Sequence, residues 1–174
     1  MTGLAVGETA DDVELPLVGP SGDVTDRYLS ELVADKPVLL CFYTADFSPD
    51  CTDEWCAFRD FDWFAAGQHV TVVGASKSSV GMHRRFIDRH DLTFPLYADT
   101  DLELASKFDV VYRTFGVSKR AHRSCFLLDE DLTVRYRWIG DHWLDPTRDV
   151  PPLTEVHEGI SEALQLEPAE SFGF

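Results

Sequence analysis

The sequence is short of positive charge. It has 15 lysines and arginines against 31 aspartates and glutamates, so its formal net charge at pH 7 is −16. Nucleic acids and anionic membranes bind basic surfaces, so neither is an expected partner. Lysine is the rarer cation, with four of the 15, and aspartate makes up 20 of the 31 acids. This bias favours a protein of a salt-accumulating organism, whose acidic surface keeps it soluble, over an ordinary acidic protein.

Long apolar stretches are also missing. No run reaches the roughly 18 residues that a membrane-spanning helix needs. The first twelve residues contain no lysine or arginine and no apolar stretch of the kind found in secretory signals. We therefore expect a cytoplasmic protein. Its 174 residues, 44% of them hydrophobic, are enough for one domain with a sizeable core, over residues 1–174.

Cysteine is scarce, and the common cofactor motifs are missing. The four cysteines (Cys41, Cys51, Cys56 and Cys125) are unevenly spaced and form no Cys-x-x-Cys motif. In a cytosolic chain this pattern indicates catalysis or metal binding rather than a disulfide framework. The histidines lie apart from the cysteines, except His122 near Cys125, so no metal site is expected. No glycine-rich dinucleotide motif or P-loop occurs, so no cofactor is expected either.

Buried strands alternate with helices along the chain. The nearly continuous apolar runs at 37–43 and 70–75 predict strands that are buried on both faces. A weakly alternating segment at 13–17, followed by a turn at 19–22, predicts an N-terminal hairpin. Further strands are predicted at 95–98, 124–128 and 133–139, and helices at 51–64, 80–90, 102–108 and 153–164. Ser78 or Ser79 is expected to cap the second of these helices.

This order predicts a layered α/β domain. The two last strands, joined by an acidic turn at 129–131, read as an antiparallel hairpin before the final helix. We therefore expect a thioredoxin-like fold, with a central mixed sheet, flanking helices and an N-terminal β-hairpin. In that architecture the site lies where the first buried strand leads into its helix.

Cys51 stands at that point. It follows a polar loop at 45–50 and lies at the predicted start of a helix. The helix dipole and the free backbone N–H groups there stabilise a thiolate, which is the reactive form of cysteine. Cys41, in the middle of an apolar run, is instead predicted to be a buried structural cysteine.

The segment 43–60, YTADFSPDCTDEWCAFRD, resembles the active-site segment of the peroxiredoxins, particularly the bacterioferritin-comigratory or PrxQ class. A second block at 123–129, RSCFLLD, resembles the strand whose arginine faces the reactive cysteine in that family. The similarity covers roughly residues 9–139. The positions of the first block that match are Pro49, Cys51, Thr52, Glu54, Cys56, Phe58, Arg59 and Asp60.

The resemblance implies a thiol-dependent peroxidase that reduces hydrogen peroxide and organic hydroperoxides through Cys51. Arg123 would place a fixed charge beside the thiolate and polarise the departing oxygen. Ser48, which replaces a threonine, would hydrogen-bond the thiolate and hold the peroxide. Glu54 would orient an arginine, with Arg123 the main candidate. Backbone N–H groups of Asp50 and Cys51 would complete the cradle.

Cys56 is implied as the resolving cysteine, which converts the Cys51 sulfenic acid into a disulfide. Residues five apart on a helix differ by about 7.5 Å in rise and about 140° in direction. A disulfide needs Cα atoms within about 7 Å, so the segment between the two cysteines must unwind. Cys125 is the less favoured resolver, because a sulfur within a strand is hard to move. The implied reductant is thioredoxin-like, and the chain is expected to be a monomer or a weak homodimer.

Two positions depart from the family pattern. Thr44 stands in place of a proline, which indicates a looser loop. Asp50 stands in place of a glycine, which predicts backbone strain if that position has a positive φ. Both departures give weight to a non-catalytic thioredoxin-fold module as an alternative. A thioredoxin-like disulfide oxidoreductase is a second alternative, although the missing Cys-x-x-Cys motif counts against it.

Overall fold

The computed structural model describes residues 3–114, 116, 118–140 and 151–166. The strands found within these residues are β1 (Glu14–Val18), β2 (Val24–Tyr28), β3 (Val38–Phe42), β4 (Thr71–Ser76), β5 (Leu96–Ala98), β6 (Val111–Thr114), β7 (Ser118–Ala121), β8 (Ser124–Leu128) and β9 (Val134–Ile139). The helices are α1 (Leu29–Leu32), α2 (Pro49–Asp60), α3 (Asp62–Ala66), α4 (Val80–His90), α5 (Glu103–Lys107) and α6 (Leu153–Ala163).

Seven strands form a mixed central sheet in the order β2-β1-β5-β4-β3-β8-β9. Strand β4 runs parallel to both β3 and β5, whereas β8 runs antiparallel to β3 and to β9. Strand β1 pairs antiparallel with β2, and this is the predicted N-terminal hairpin. The predicted fold class is confirmed, including the strand pair that closes the sheet before α6.

Helices cover both faces of the sheet, because the central strands are apolar on both sides. Along β3, Leu40 and Phe42 point into one apolar core, together with residues of α1 and α5. Leu39 and Cys41 point into the other core, which is built with α2, α3, α4 and α6. Gly74 on β4 makes room in this second core, since a Cβ there would lie 2.5 Å from the Trp55 ring. The result is a three-layer arrangement in which α2 packs directly on the centre of the sheet.

The structure differs from the sequence predictions around the first long helix. The helix predicted over 51–64 is two helices, because Phe61 adopts an extended backbone between α2 and α3. Helix α2 also begins two residues earlier than predicted, with Ser48 as N-cap and Pro49 in the first turn, where proline is favoured. The short helix α1 and the β6–β7 hairpin were not predicted. Helix α4 was predicted correctly, and Ser79 caps it by accepting from the Met82 N–H at 3.2 Å.

None of the helices among the described residues combines the length and the apolar content that crossing a membrane requires. Within the same residues there is no group of three or more histidine, cysteine, aspartate or glutamate side chains placed to hold a metal ion.

Candidate active site

Two neighbouring strands bring the predicted site residues together. Strand β3 leads through the loop at 43–48 into α2, which carries Cys51 and Glu54. Strand β8 runs antiparallel beside it, with Phe42 opposite Ser124. The start of β8 therefore meets the end of β3. Arg123, the residue before β8, is placed next to the loop and the first turns of α2.

Three of the five predicted site residues are in contact. The Arg123 guanidinium donates from Nη2 to the Cys51 Sγ at 3.1 Å and from Nη1 to the Glu54 Oε2 at 2.6 Å. All three side chains are buried, with relative exposures of 0–1%. Cys51 follows a polar loop, but the early start of α2 places it inside the core rather than at the surface. Because the guanidinium is planar and rigid, its two donated hydrogen bonds fix the positions of the Glu54 carboxylate and the Cys51 sulfur relative to each other.

The cluster holds one cation for two acidic groups in a buried space. Burial raises the pKa of Glu54 to about 7, against the charge and the hydrogen bond of Arg123, which lower it. The second oxygen of Glu54 has no hydrogen-bond partner among the described residues, which also disfavours the carboxylate. Burial acts to lower the pKa of Arg123, but the charges of Glu54 and Cys51 outweigh burial and raise it. A proton is therefore retained on Glu54 up to near-neutral pH.

Glu54→Gln is expected to change how stability depends on pH. Because the pKa of Glu54 is raised from 4.5 to about 7, the folded protein binds more protons than the unfolded chain between these values. The contribution of Glu54 to stability then falls as pH rises from 4.5 to 7, by on the order of a few kcal/mol. The variant has no such group and should not show this fall. Urea unfolding at half-unit pH steps measures the effect as the difference between the two proteins.

Glu130→Gln is the matched control, because Glu130 is exposed in the turn between β8 and β9. It removes the same charge from the surface and should leave the pH slope of the parent unchanged. Identical slopes for the parent and the Glu54 variant would contradict the raised pKa.

Ser48 is in the loop, but its hydroxyl makes no hydrogen bond to the Cys51 sulfur in this structure. Its hydroxyl donates to the carbonyl oxygen of Ala45 at 3.2 Å. Its carbonyl accepts the Thr52 N–H at 2.9 Å, and this bond closes the first turn of α2. The N–H groups of Asp50 and Cys51 precede that bond, so they have no partner within the helix. Ser48 therefore shapes the loop beside Cys51, and its predicted contact with a thiolate or a peroxide stays a prediction.

The strain expected at Asp50 is absent. Helix α2 already begins at Pro49, so Asp50 lies in the first turn, where an acid is favoured by the helix dipole. In the loop before α2, the residue with positive φ is Phe47, at 64°. Its ring is held by the Phe86 ring, with centroids 5.2 Å apart. At the other departure from the pattern, the Thr44 hydroxyl is buried with no hydrogen-bond partner in the described part of the chain.

Cys56 lies away from Cys51. It is partly buried on α2, and its Sγ is 3.8 Å from the Nδ1 of His90 at the end of α4. Both cysteines are within one continuous helix. The helical geometry that separates residues five apart therefore applies to them.

The other two cysteines lie side by side on neighbouring strands. Cys41 on β3 is the register partner of Cys125 on β8, and both are fully buried. Burial raises the pKa of Cys125 and raises that of Cys41 well above its ordinary value, with the neighbouring Cys125 adding to the effect on Cys41. These thiols stay protonated at neutral pH, which agrees with the structural role predicted for Cys41.

A buried polar network beside the site was not predicted. His83 lies 2.7 Å from the Asp46 Oδ2 through Nδ1 and 2.9 Å from the Tyr97 carbonyl oxygen through Nε2. The Tyr43 hydroxyl donates to the other Asp46 oxygen at 2.5 Å. This network ties the loop before α2 to helix α4. The sequence did contain a sign of this network. His83 lies three residues before Phe86 and four before Ile87, which places it on the buried face of α4.

Comparison with known proteins assigns the chain to a family. Residues 6–137 match the AhpC/TSA family. The chain belongs to this family. It is 30% identical to Peroxiredoxin Bcp of Bacillus subtilis (strain 168) over 159 residues, 87% of this chain and 98% of the relative. It is 33% identical to Peroxiredoxin Q, chloroplastic, of Triticum aestivum over 125 residues, 72% of this chain and 56% of the relative.

The fold is also that of a peroxiredoxin. The crystal structure of Peroxidoxin BcpB from Mycobacterium tuberculosis superposes with a TM-score of 0.74 at 27% identity, over 96% of this chain and 99% of that one. The predicted family is therefore confirmed, with relatives of the Bcp and peroxiredoxin Q type. The chain is a peroxiredoxin, a thiol-dependent peroxidase with a thioredoxin-like fold. Family membership decides against the disulfide oxidoreductase and the non-catalytic module.

Proposed function

We propose that Cys51 reduces hydrogen peroxide and organic hydroperoxides and that Cys56 resolves the oxidised sulfur. The observation that carries the proposal is the 3.1 Å contact between the Arg123 guanidinium and the Cys51 Sγ. Among the four cysteines, Cys51 has both this cation and a position in the first turn of a helix. Both features stabilise a thiolate.

In the peroxide step, the Cys51 thiolate attacks one oxygen of the peroxide. The S–O bond forms as the O–O bond breaks, and the second oxygen leaves as hydroxide or alkoxide, which takes up a proton. Arg123 stabilises the negative charge as it moves from the sulfur to the leaving oxygen, because its position is already fixed by Glu54 at 2.6 Å. The product on the enzyme is the sulfenic acid of Cys51.

Cys56 then attacks the sulfenic sulfur, and water leaves as the disulfide forms. The roughly 7.5 Å rise between the two positions and their opposed directions prevent a disulfide while both are helical. The first turns of α2 must therefore open in each cycle. Cys56 is suited to this step because it is partly exposed, whereas Cys125 is fully buried within β8.

The reductant is proposed to be a thioredoxin-like protein, and the compartment the cytoplasm. Once the first turns of α2 have opened, the disulfide is open to attack by the exposed thiol of such a partner. The net charge of −16 supports a salt-rich cytoplasm, where an acidic surface keeps a protein soluble. The chain is proposed to act as a monomer or a weak homodimer.

One equivalent of peroxide is expected to produce an intramolecular Cys51–Cys56 disulfide, which a thioredoxin system reduces again. Oxidation should also raise amide exchange across residues 51–58, because the opened turns lose their hydrogen bonds, while β3 stays protected in the centre of the sheet. Peptide mass mapping tests the bond, and hydrogen exchange of the reduced and oxidised proteins tests the opening.

The matched variant is Cys56→Ser, which should accumulate sulfenic acid or over-oxidised Cys51 instead of the disulfide. A bond from Cys51 to Cys125, or to a second chain, would refute the role of Cys56 and leave the peroxidase itself intact. Exchange that stays unchanged in the disulfide form would contradict the opening of α2.

A further inference from the structure

Cys56 has a basic neighbour that belongs to a different helix. Its Sγ lies 3.8 Å from the His90 Nδ1, a distance within hydrogen-bond range for sulfur. Cys56 is on the second turn of α2, and His90 is the last residue of α4. The contact therefore joins the helix that must open to one that has no need to move. Cys41 and Cys125 face each other instead, with pKa values raised by burial.

His90 is held in place from several sides. Its ring packs against Phe86, with centroids 5.1 Å apart, and against Phe47, at 6.0 Å. Its carbonyl oxygen accepts from the Arg59 Nη1 at 2.8 Å. The imidazole is therefore oriented by packing as well as by the sulfur, and its Nδ1 is presented to Cys56.

The charged groups around this pair come from both helices. Arg59 on α2 donates to the Asp60 carboxylate at 2.9 Å. This hydrogen bond raises the pKa of Arg59, and the charges of Cys56 and of Asp91, just beyond α4, act in the same direction. On α4 itself, Arg89 precedes His90 in the last turn. A negative charge on the Cys56 sulfur thus forms near the Arg59 cation rather than in an apolar core.

We infer that His90 is a catalytic residue of the resolving step, as the base that takes the proton of the Cys56 thiol; this rests on the proposed resolving role of Cys56. The Nδ1 takes the thiol proton, and the thiolate attacks the sulfenic sulfur of Cys51. The S–S bond forms and the S–O bond breaks. The leaving hydroxide takes up a proton from the solvent and departs as water, and the imidazolium returns its proton to the solvent, so that His90 is neutral again for the next cycle.

The expected size of the effect follows from thiol chemistry. An ordinary thiol is only a few per cent thiolate at pH 7, and the thiolate is the nucleophile. A base that removes the proton can therefore accelerate the step by roughly 10- to 30-fold at neutral pH. Near pH 9.5 an ordinary thiol ionises without help, and the advantage of a base vanishes.

His90→Gln tests the inference, with His69→Gln as the matched control because the His69 ring stacks on Trp63 instead. Reduced protein is mixed with one equivalent of peroxide, quenched with acid at millisecond intervals, and analysed by mass for sulfenic acid and disulfide. We expect sulfenic acid to form at the parent rate in both variants. In His90→Gln, disulfide formation should then be roughly 10- to 30-fold slower at pH 7 and equal to the parent at pH 9.5.

The possible failures are distinguishable. Disulfide formation at the parent rate in His90→Gln at pH 7 overturns the inference, and so does a defect of the same size at both pH values, because it would reflect packing rather than proton transfer. If the Cys56→Ser variant forms an intramolecular disulfide as fast as the parent, the proposed resolving role fails, and the role of His90 fails with it. A full block in Cys56→Ser beside a normal His90→Gln refutes the inference alone.

Discussion

Cys51→Ser is expected to abolish peroxide turnover, with a residual rate at the level of the uncatalysed reaction. A serine hydroxyl at this position stays protonated at neutral pH and cannot attack the peroxide oxygen, whereas the sulfur beside Arg123 can. The substitution is close in size, so the buried site should stay packed. Stopped-flow measurement of hydrogen peroxide consumption, with a thioredoxin system as reductant, gives the rate.

Cys41→Ser is the internal control, because it removes a sulfur from the neighbouring strand of the same core. Its thiol stays protonated, since burial raises its pKa well above the ordinary value. We therefore expect it to lose stability through the buried hydroxyl but to keep a peroxide rate close to that of the parent. Turnover retained by Cys51→Ser, or lost in a folded Cys41→Ser protein, would show that the reacting sulfur has been assigned to the wrong cysteine.

The sequence pattern was sufficient for the sheet and for most of its helices. The runs at 37–43 and 70–75 are apolar on both faces, as in central strands, and they are β3 and β4 in the structure. The break at Phe61 could not be predicted, because helical propensity is continuous there. What interrupts the helix is tertiary packing, with the Phe61 ring against those of Phe64 and His157.

The reacting residues were predictable for a different reason. Cys51 and Glu54 are close in sequence, and Arg123 was found through a second block that resembles the family's strand. No such pattern links Asp46 to His83 or Cys56 to His90, since each pair is joined only by the packing of α4 against the first turns of α2 and the loop before it. Asp46, His83 and His90 were therefore missed, although Cys51, Glu54 and Arg123 were found.

Removing the Arg123 charge is expected to slow the peroxide step by about 100- to 1,000-fold. In the peroxide step, negative charge moves from the Cys51 sulfur to the leaving oxygen, and Arg123 is the cation in contact with that sulfur, at 3.1 Å. Its guanidinium is already oriented by Glu54, so no energy is spent on reorganisation when the charge moves. Methionine is the suitable replacement, because it is long, unbranched and uncharged.

The single variant Arg123→Met has a flaw as a test. It leaves Glu54 buried without its hydrogen-bond partner, and breaking a buried pair in this way is destabilising. Because proteins are only marginally stable, a slower rate in this variant would also report lost folding, which is unrelated to the reaction. The double variant Arg123→Met with Glu54→Gln avoids this cost, because both charges are removed. Its rate should be compared with that of Glu54→Gln alone, so that the ratio reports the loss of the arginine.

The Arg123→Lys variant separates the effect of the positive charge from that of the two hydrogen bonds that the guanidinium donates. A lysine keeps the positive charge but presents it as a point, so it cannot donate to Glu54 and Cys51 at once through a planar fork. We expect a rate between those of the parent and the double variant, with part of the loss due to an ammonium drawn toward the Glu54 carboxylate. Single-turnover loss of the Cys51 thiol at several peroxide concentrations measures the step. A double variant within threefold of Glu54→Gln would mean that Arg123 holds the fold of the site and contributes little to the movement of charge.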